Sequence, residues 1–406
     1  MNNGYKKELS IDRIDVDGDY EPSNCRWETI KEQSRNRRDT LYVEYNGEKR
    51  TLIEVSEEVG ISYGKMYARI FEMGKSSVKL PMPVYIVNGA SIAGTKEGQG
   101  PLGSCIDHVL TDDQFGADSW EAAECKLQKE TVAILLKKTE VSEKEIRYLF
   151  AGDLLGQSMA SSFGLASYEI PYFGVYGACS TCGESLSLGA MTIGGGFATQ
   201  VVCVTSSHFA SAEKEFRFPL EYGGQRPKSS TWTVTGSGAF LLATEVSDPM
   251  AQITGITTGK VVDMGVKDSM NMGCAMAPAA ADLIWQHLQD FERKPEDYDR
   301  IITGDLGEVG SQALIDLLRE KNVDIAGNHM DCGTTLFDIN EQDVGSGGSG
   351  CGCSAVTLAS YILPKLQSGE WKRVLFVPTG ALLSKTSFNE GNSVPGIAHG
   401  LVLEHV

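Results

Sequence analysis

The sequence predicts an α/β protein built from two similar halves, preceded by a small α+β segment. A hydrophobic strand that ends in Gly-Asp-Leu occurs twice, as IRYLFAGDL from Ile146 and as RIITGDL from Arg300. A turn of small residues that contains cysteine, followed by a helical stretch and a buried strand, also occurs twice, around Cys179 and around Cys351. Because both motifs keep their order and spacing, we predict an internal duplication.

Each predicted half begins with a strand, PVYIVNGASIAG near residue 83 and AQITGITTGK near residue 251. Strands then alternate with helical stretches, which is typical of mostly parallel sheets with helices on their faces. We therefore assign residues 84–250 to the first half and 251–406 to the second. Ligand sites in such folds lie at the carboxyl ends of strands and where the halves meet.

Composition and charge exclude several classes of function. The 406 residues carry a net charge of −18, almost all of it after residue 80, which disfavours nucleic acid and anionic lipid as partners. Charged residues interrupt every apolar stretch, so we expect a cytoplasmic protein without a membrane span or signal peptide. The ten cysteines show no paired metal spacing, and we expect no metal site.

The amino-terminal residues differ in character from the remainder. SIDRIDVDGDYEPSNCRW and the following EQSRNRR resemble part of phage-type HNH homing endonucleases, and residues 48–73 resemble the helix-turn-helix that often follows. No histidine precedes His108, so we expect an incomplete metal centre and a truncated remnant without nuclease activity. We assign residues 1–73 to this segment and 74–83 to a linker. Weak DNA binding is the alternative, through four arginines: Arg26, Arg35, Arg37 and Arg38.

Cys179 is the candidate nucleophile. It lies in YGACST, just before a predicted helix, and a helix amino-terminus is expected to lower the pKa of a thiol. This motif and the duplication resemble the thiolase superfamily of thiolases and ketoacyl synthases. The resemblance implies duplicated βαβαββ halves in a five-layered sandwich, with the cysteine as acyl acceptor.

The second half departs from a catalytic pattern. Condensing relatives use a histidine after the second Gly-Asp-Leu strand, whereas this chain has Asp305, and an aspartate repels a developing oxyanion. His329 is a possible substitute, although its neighbours suggest a loop. We therefore lean towards a binding protein without catalysis. An acyltransferase that uses Cys179 is the alternative.

A polar and aromatic segment after the first-half strand offers an anion receptor. Arginine binds carboxylates bidentately and aromatic rings stack on planar ligands, and together these groups suit a small planar anion. A solvated loop is the alternative. The candidate ligand-binding residues are His208, Arg217, Arg226 and Lys228 from this segment, together with Cys179, Asp153 and Asp305.

Several motifs resemble one family in particular. GDLL at 152, YGACST at 176, TSSH at 205, TWTVTGSGA at 231, GDLGEVG at 304 and GSGCGCSA at 348 are similar to the stage V sporulation protein AD family. The resemblance implies binding of dipicolinic acid, with calcium as a possible companion, and its uptake into the developing spore. It also implies contact with membrane proteins of the same operon at the inner spore membrane. A homodimer is expected by analogy, and nucleic acid is an unlikely partner.

Overall fold

In the computed structural model, the repeated strands of both halves are hydrogen-bonded into one mixed sheet. The structure describes residues 6–7, 9–15, 18–29, 40–45, 48–60, 63, 72–73, 76–216 and 226–406. The chain divides into a smaller unit, residues 1–73, and a larger unit, residues 74–406. Among the described residues, no helix has both the length and the apolar character that a bilayer span requires.

The described residues of the smaller unit form two antiparallel hairpins and a helix. Its elements are β1 (Leu9–Arg13), β2 (Cys25–Thr29), β3 (Tyr42–Tyr45), β4 (Glu48–Thr51), α1 (Leu52–Val59) and the two-residue β5 (Glu72–Met73). The Asn24 amide donates to the carbonyls of Asp15 and Asp19, both at 3.0 Å, and so closes the first turn. Thr51 and Glu54 form a capping box at the start of α1, which buries Leu52 and Val55.

The sequence predictions for this unit are only partly covered by the structure. Arg26 forms an ion pair with Asp12 at 3.3 Å. The second helix of the predicted helix-turn-helix and three of the four arginines lie outside the described residues. The resemblance to HNH endonucleases therefore stays a prediction.

The strands of the larger unit confirm the duplication. The first half contributes β6 (Ser77–Ala93), β7 (His108–Val109), β8 (Tyr148–Gly152), β9 (Tyr172–Gly174), β10 (Gln200–Ser207), β11 (Trp232–Thr233) and β12 (Gly236–Ala243). The second half contributes β13 (Ala251–Thr258), β14 (Arg300–Thr303), β15 (His329–Asp331), β16 (Gly348–Ser349), β17 (Arg373–Val377), β18 (Thr379–Ala381) and β19 (Gly396–Glu404). The neighbours run β9-β8-β10-β12-β6-β13-β19-β17-β14-β15. This order and the strand directions are the same when read inward from either end.

Helices cover both faces and fill the space between the halves. They are α2 (Thr95–Gly98), α3 (Trp120–Thr139), α4 (Met159–Leu165), α5 (Thr181–Gly194), α6 (Phe209–Phe216), α7 (Met272–Asp290), α8 (Gly307–Glu320), α9 (Cys332–Leu336), α10 (Cys351–Thr357), α11 (Leu363–Gln367) and α12 (Lys385–Asn389). Helix α5 contacts strands of both halves and packs against α10, whose seven residues are all buried. Helix α3 packs on the first half, and α7 and α8 pack on the second. These contacts place helices against the mixed sheet in both halves, as an α/β fold requires.

The predicted linker is wrong for most of its length. Residues 77–83 are the first part of β6, where Val78 pairs with Ile256 of β13. The prolines that suggest a linker, Pro81 and Pro83, lie where the register of this ladder shifts. A proline lacks the N–H that a regular ladder uses, and an irregular position tolerates it.

Candidate functional site

A tight turn places Cys179 immediately before α5. Ala178 has a φ of 51°, a left-handed conformation that reverses the chain sharply. The turn is closed by side chains, because Ser180 Oγ donates to the Gly177 carbonyl at 2.6 Å and Thr181 Oγ1 donates to the Ala178 carbonyl at 2.6 Å. Cys179 itself is buried, with 6 % of its surface exposed.

The second half completes the surroundings of the Cys179 thiol. The carboxyl group of Asp305 and the backbone N–H groups of Gly350 and Ala381 lie close enough to the thiol to influence its pKa. Asp305 is fully buried, and its carboxyl oxygens also accept hydrogen bonds from Gly350 N and Thr379 Oγ1, both at 3.0 Å. The structure therefore brings together Cys179 and Asp305, the residues at the two repeated motifs.

This environment keeps the thiol protonated. Burial, followed by the charge of Asp305, raises the pKa of Cys179 well above its usual value. Burial also raises the pKa of Asp305 to about 7. The expectation that the helix amino-terminus lowers the pKa of Cys179 is therefore wrong, because burial beside a carboxyl group outweighs the helix dipole.

A close approach of Gly380 to the Cys179 turn joins the two halves. A Cβ atom at Gly380 would lie 2.2 Å from the Gly177 carbonyl oxygen and 3.1 Å from Cys179 N. We expect Gly380→Ala to lower the free energy of unfolding by about 3 kcal/mol, since backbone on both sides must move. Urea unfolding measures this loss. Gly327→Ala is the control, because a Cβ there meets no atom within 4 Å. Equal stability of both variants would contradict the packing described.

Alkylation tests the protonated state of Cys179. We expect iodoacetamide to modify Cys179 slowly at pH 8, with the exposed Cys105 as the internal reference. Asp305→Asn removes a neighbouring negative charge, and we expect the rate at Cys179 to rise about tenfold. Peptide mass spectrometry follows both sites over time. An unchanged rate in Asp305→Asn, with the exposed Asp343→Asn as the control, would show that Asp305 does not set the pKa of the thiol.

His329 and Asp331 support the segment that carries Asp305. Asp331 accepts hydrogen bonds from Thr303 Oγ1 at 2.7 Å and from Leu306 N at 2.8 Å. His329 lies in β15, not in the expected loop, and its Nε2 is 3.0 Å from Thr303 Oγ1. Burial lowers the pKa of His329 to about 4, so the ring is neutral at physiological pH.

His208 and Asp153 bind neighbouring backbone. His208 Nε2 donates to the Asp113 carbonyl at 2.8 Å, and its Nδ1 accepts from Ala210 N at 3.2 Å. Asp153 is fully buried and accepts a hydrogen bond from Leu155 N at 2.8 Å. Both ring nitrogens of His208 thus have hydrogen-bond partners in the protein. Asp153 directly precedes Leu154, which lines the cavity described below.

Arg226 and Lys228 line a different cavity from the one at Cys179. Arg226 binds the buried Glu213 at 2.8 Å, and its guanidinium lies 4.9 Å from the centre of the Phe209 ring. Arg226 and Lys228 line a separate cavity of about 420 Å³. Glu213, in contrast, lines the cavity at Cys179. Arg217 lies outside the described residues.

Two cavities lead to Cys179. The inner cavity has a volume of about 30 Å³, and its lining includes Cys179, Gly350 and Ala381. The outer cavity has a volume of about 460 Å³. They share four lining residues: Leu154, Tyr176, Phe216 and Leu383. Lys385 and Glu215 also line the outer cavity. Among the described residues, no group of three histidine, cysteine or acidic side chains could hold a metal ion.

His399 of β19 lies at the Cys179 turn, although no sequence motif predicts it there. Its Nδ1 is 3.1 Å from Ser180 Oγ, although 219 positions separate the two residues. Because Ser180 Oγ donates to Gly177, the ring nitrogen must donate to Ser180, which fixes the Nδ1–H tautomer of His399. Burial lowers the pKa of His399 to about 4. No motif marks His399, since only the pairing of the halves brings it to the turn.

Comparison with known sequences gives one family. The family model described as Stage V sporulation protein AD matches residues 74–404. Stage V sporulation protein AD of Bacillus subtilis (strain 168) is 43 % identical over 331 residues, which cover 82 % of this chain and 97 % of that protein.

Solved structures share the fold at low sequence identity. The acetyl-CoA acetyltransferase of Bacillus anthracis is 13 % identical with a TM-score of 0.53, covering 80 % of this chain and 99 % of that one. Human mitochondrial 3-ketoacyl-CoA thiolase in complex with CoA is 13 % identical with a TM-score of 0.52, covering 82 % and 100 %. The tetronic acid condensing enzyme AbyA1 is 16 % identical with a TM-score of 0.51, covering 79 % and 99 %. The predicted thiolase-like α/β fold is confirmed.

Proposed function

The chain belongs to the stage V sporulation protein AD family, and from this premise we propose that it binds dipicolinic acid and takes part in its uptake into the developing spore. It is a sporulation protein with a thiolase-like fold. In the proposed function, the fold serves as a binding scaffold and forms no acyl intermediate. Dipicolinic acid is pyridine-2,6-dicarboxylate, a flat ring with two carboxylates.

The donor groups around Cys179 carry this proposal. A ligand carboxylate that enters the inner cavity meets the Cys179 thiol and the N–H groups of Gly350 and Ala381. With a pKa of about 7, the Asp305 carboxyl group also holds a proton part of the time and can donate it in a hydrogen bond. Such an arrangement suits a bound carboxylate better than it suits activation of a nucleophile, which requires the thiolate.

The outer cavity offers room for the ring. Its volume of about 460 Å³ lies within the usual range for small-molecule sites, and Tyr176 and Phe216 supply aromatic faces. Lys385 adds a cation for the second carboxylate. Glu215 contributes the opposite charge, and a calcium ion carried with the ligand would offset its repulsion.

Calorimetric titration tests the proposed binding. We expect saturable binding of dipicolinate with one site per chain. Tyr176→Ala should weaken binding about tenfold, because an aromatic contact is lost. The matched control is Phe197→Ala, since Phe197 is 74 % exposed and lies outside both cavities. No heat above dilution at millimolar ligand would reject the proposal.

The alternative function is an acyltransferase that forms a thioester on Cys179. The strained turn at Ala178 and the paired N–H groups of Gly350 and Ala381 favour it, because such groups can stabilise an oxyanion. Incubation with acetyl-CoA followed by intact mass measurement separates the alternatives. An acetyl adduct that Cys179→Ser removes would support the acyltransferase, and an unmodified mass would support binding alone.

We further propose a homodimer formed through β9. This strand is at the end of the sheet order, and its three residues are exposed, including Tyr172 and Phe173. Unpaired strand edges with apolar side chains favour pairing with another strand. Sedimentation of wild type and Phe173→Lys tests the dimer, which the variant should dissociate.

We also propose a location and partners for the protein from its family. It would lie in the cytoplasm or forespore and associate with the inner spore membrane through membrane proteins of the same operon.

A further inference from the structure

Two carboxyl side chains are fully buried beside the walls of the inner cavity. Glu124 lies on α3 and Asp153 follows β8, and neither has any exposed surface. Leu154, next to Asp153, lines both cavities. On the other side, Ala212 and Phe216 of α6 line the inner cavity. The two carboxyl groups therefore lie behind two different walls of the same cavity.

Asp153 holds one of these walls through hydrogen bonds to its carboxyl group. It accepts hydrogen bonds from Leu155 N at 2.8 Å, from Ser161 N at 2.8 Å and from Ser161 Oγ at 2.6 Å. Burial raises the pKa of Asp153, whereas these three donors lower it and favour the carboxylate. The segment between these donors, residues 155–158, lines the outer cavity.

Glu124 has a different set of partners, which suits the protonated acid. Its Oε2 is 2.6 Å from Ser211 Oγ, and Ser211 Oγ is 3.2 Å from the His208 carbonyl. A protonated Glu124 can donate to Ser211 Oγ, and Ser211 can then donate to His208. Ser206 Oγ donates to Oε1 at 2.9 Å. Every hydrogen in this arrangement has an acceptor.

Gln128 links the two acids. It lies one turn after Glu124 on α3, and its Nε2 contacts Ser161 Oγ at 2.8 Å and Ser206 Oγ at 2.9 Å. Each serine in turn donates to one of the acids. The network therefore runs without a break from the segment after Asp153 to the start of α6.

We propose that Glu124 is a positioning residue, which holds a proton at neutral pH and, in this neutral form, ties α3 to α6 and fixes the wall of the inner cavity. Burial and the nearby charge of Asp153 raise the pKa of Glu124 to about 8. Three further titratable groups interact with it: Glu121 and Cys125 on α3, and Cys351 of α10. Lys214 is paired with Glu121 at 2.6 Å.

Infrared spectroscopy tests the proton directly and without ligand. At pH 7, we expect Glu124→Gln to lose the carbonyl band of one protonated carboxylic acid per chain relative to wild type. The exposed Glu296→Gln is the control and should leave the band unchanged. An unaltered band in Glu124→Gln would overturn the proposal, because it would show that Glu124 is ionised.

Alkylation of Cys179 tests the positioning role, again without ligand. Glutamine keeps a neutral hydrogen-bonding side chain, so Glu124→Gln should alkylate at the wild-type rate, within twofold. Glu124→Ala removes the tie to α6, and the rate should rise roughly tenfold, as expected when one buried hydrogen bond is lost. Equal rates in both variants would contradict the positioning role.

Dipicolinate affinity extends the test and rests on the proposed function. Glu124→Gln should bind as wild type does at pH 7 and more tightly than wild type at pH 9, where wild-type Glu124 ionises. Weakened binding at pH 7 in Glu124→Gln would contradict the inference. If wild type fails to bind dipicolinate at all, the proposed function fails, whereas the infrared and alkylation results still decide the role of Glu124.

Discussion

Replacement of Asp305 by asparagine is expected to remove most of the pH dependence of dipicolinate binding between pH 6 and pH 8. In wild type, affinity should fall about tenfold between pH 6 and pH 8, because the protonated fraction of a group with a pKa of about 7 falls by that factor. The ionised form of Asp305 repels a ligand carboxylate, whereas the protonated form donates a hydrogen bond to it. Asparagine is neutral throughout this range and keeps an acceptor for Gly350 N. Calorimetry at pH 6, 7 and 8 measures the effect.

The matched control for this experiment is Asp343→Asn. Asp343 is exposed and does not line the inner or outer cavity, so this variant should keep the pH dependence of wild type. Affinity that stays constant or rises from pH 6 to pH 8 in wild type would show that the Asp305 proton does not assist binding.

The free energy of unfolding is expected to fall by about 3 kcal/mol between pH 6.5 and pH 8. Burial raises the pKa of Glu97 and Glu124 to about 8 and that of Asp305 to about 7. These acids favour the folded state at low pH, and this contribution is lost as pH rises through the folded-state pKa values. The unfolded chain carries the same groups ionised above about pH 5.

Buried histidines act in the opposite direction at lower pH. Burial lowers the pKa of His287 to about 3 and those of His329 and His399 to about 4. These histidines stabilise the folded state above their unfolded-state pKa of about 6.5, and this stabilisation is lost as pH falls below that value. Between about pH 4.5 and 6.5 the two sets of groups offset each other, so the stability curve should be nearly flat there.

Urea unfolding at pH 5.5, 6.5 and 8 checks both parts of this curve. Glu97→Gln removes a group that must ionise inside the protein, and we expect a smaller loss of stability at pH 8 than in wild type. The exposed Glu296→Gln should show the same loss as wild type. Stability that increases from pH 6.5 to pH 8 would contradict the protonated state of these buried acids.

The duplication was predictable because it repeats short motifs in order. The strands that end in Gly-Asp-Leu, and those that follow the cysteine turns, appear in the structure as β8, β14, β10 and β17. The same repeat identified the cysteine turns and the Gly-Asp-Leu strand ends, to which Cys179 and Asp305 belong, as candidate site positions in both halves. The proximity of Cys179 and Asp305 follows from the way the halves face each other.

Other features depend on burial or on distant contacts, which a linear pattern does not reveal. Burial and the charge of Asp305 set the pKa of Cys179. The position before a helix alone therefore predicted a pKa shift in the wrong direction. The cross-half contact of His399 with Ser180 has no sequence signal. Arg226 was expected beside the ligand, but Glu213 holds it at the edge of another cavity.

A crystal structure after soaking with dipicolinate would show whether and where the ligand binds. We expect the pyridine ring between Tyr176 and Phe216, with one carboxylate at the N–H groups of Gly350 and Ala381 and the Cys179 thiol unmodified. An empty cavity at saturating dipicolinate, or dipicolinate held only at another surface, would contradict the proposed binding.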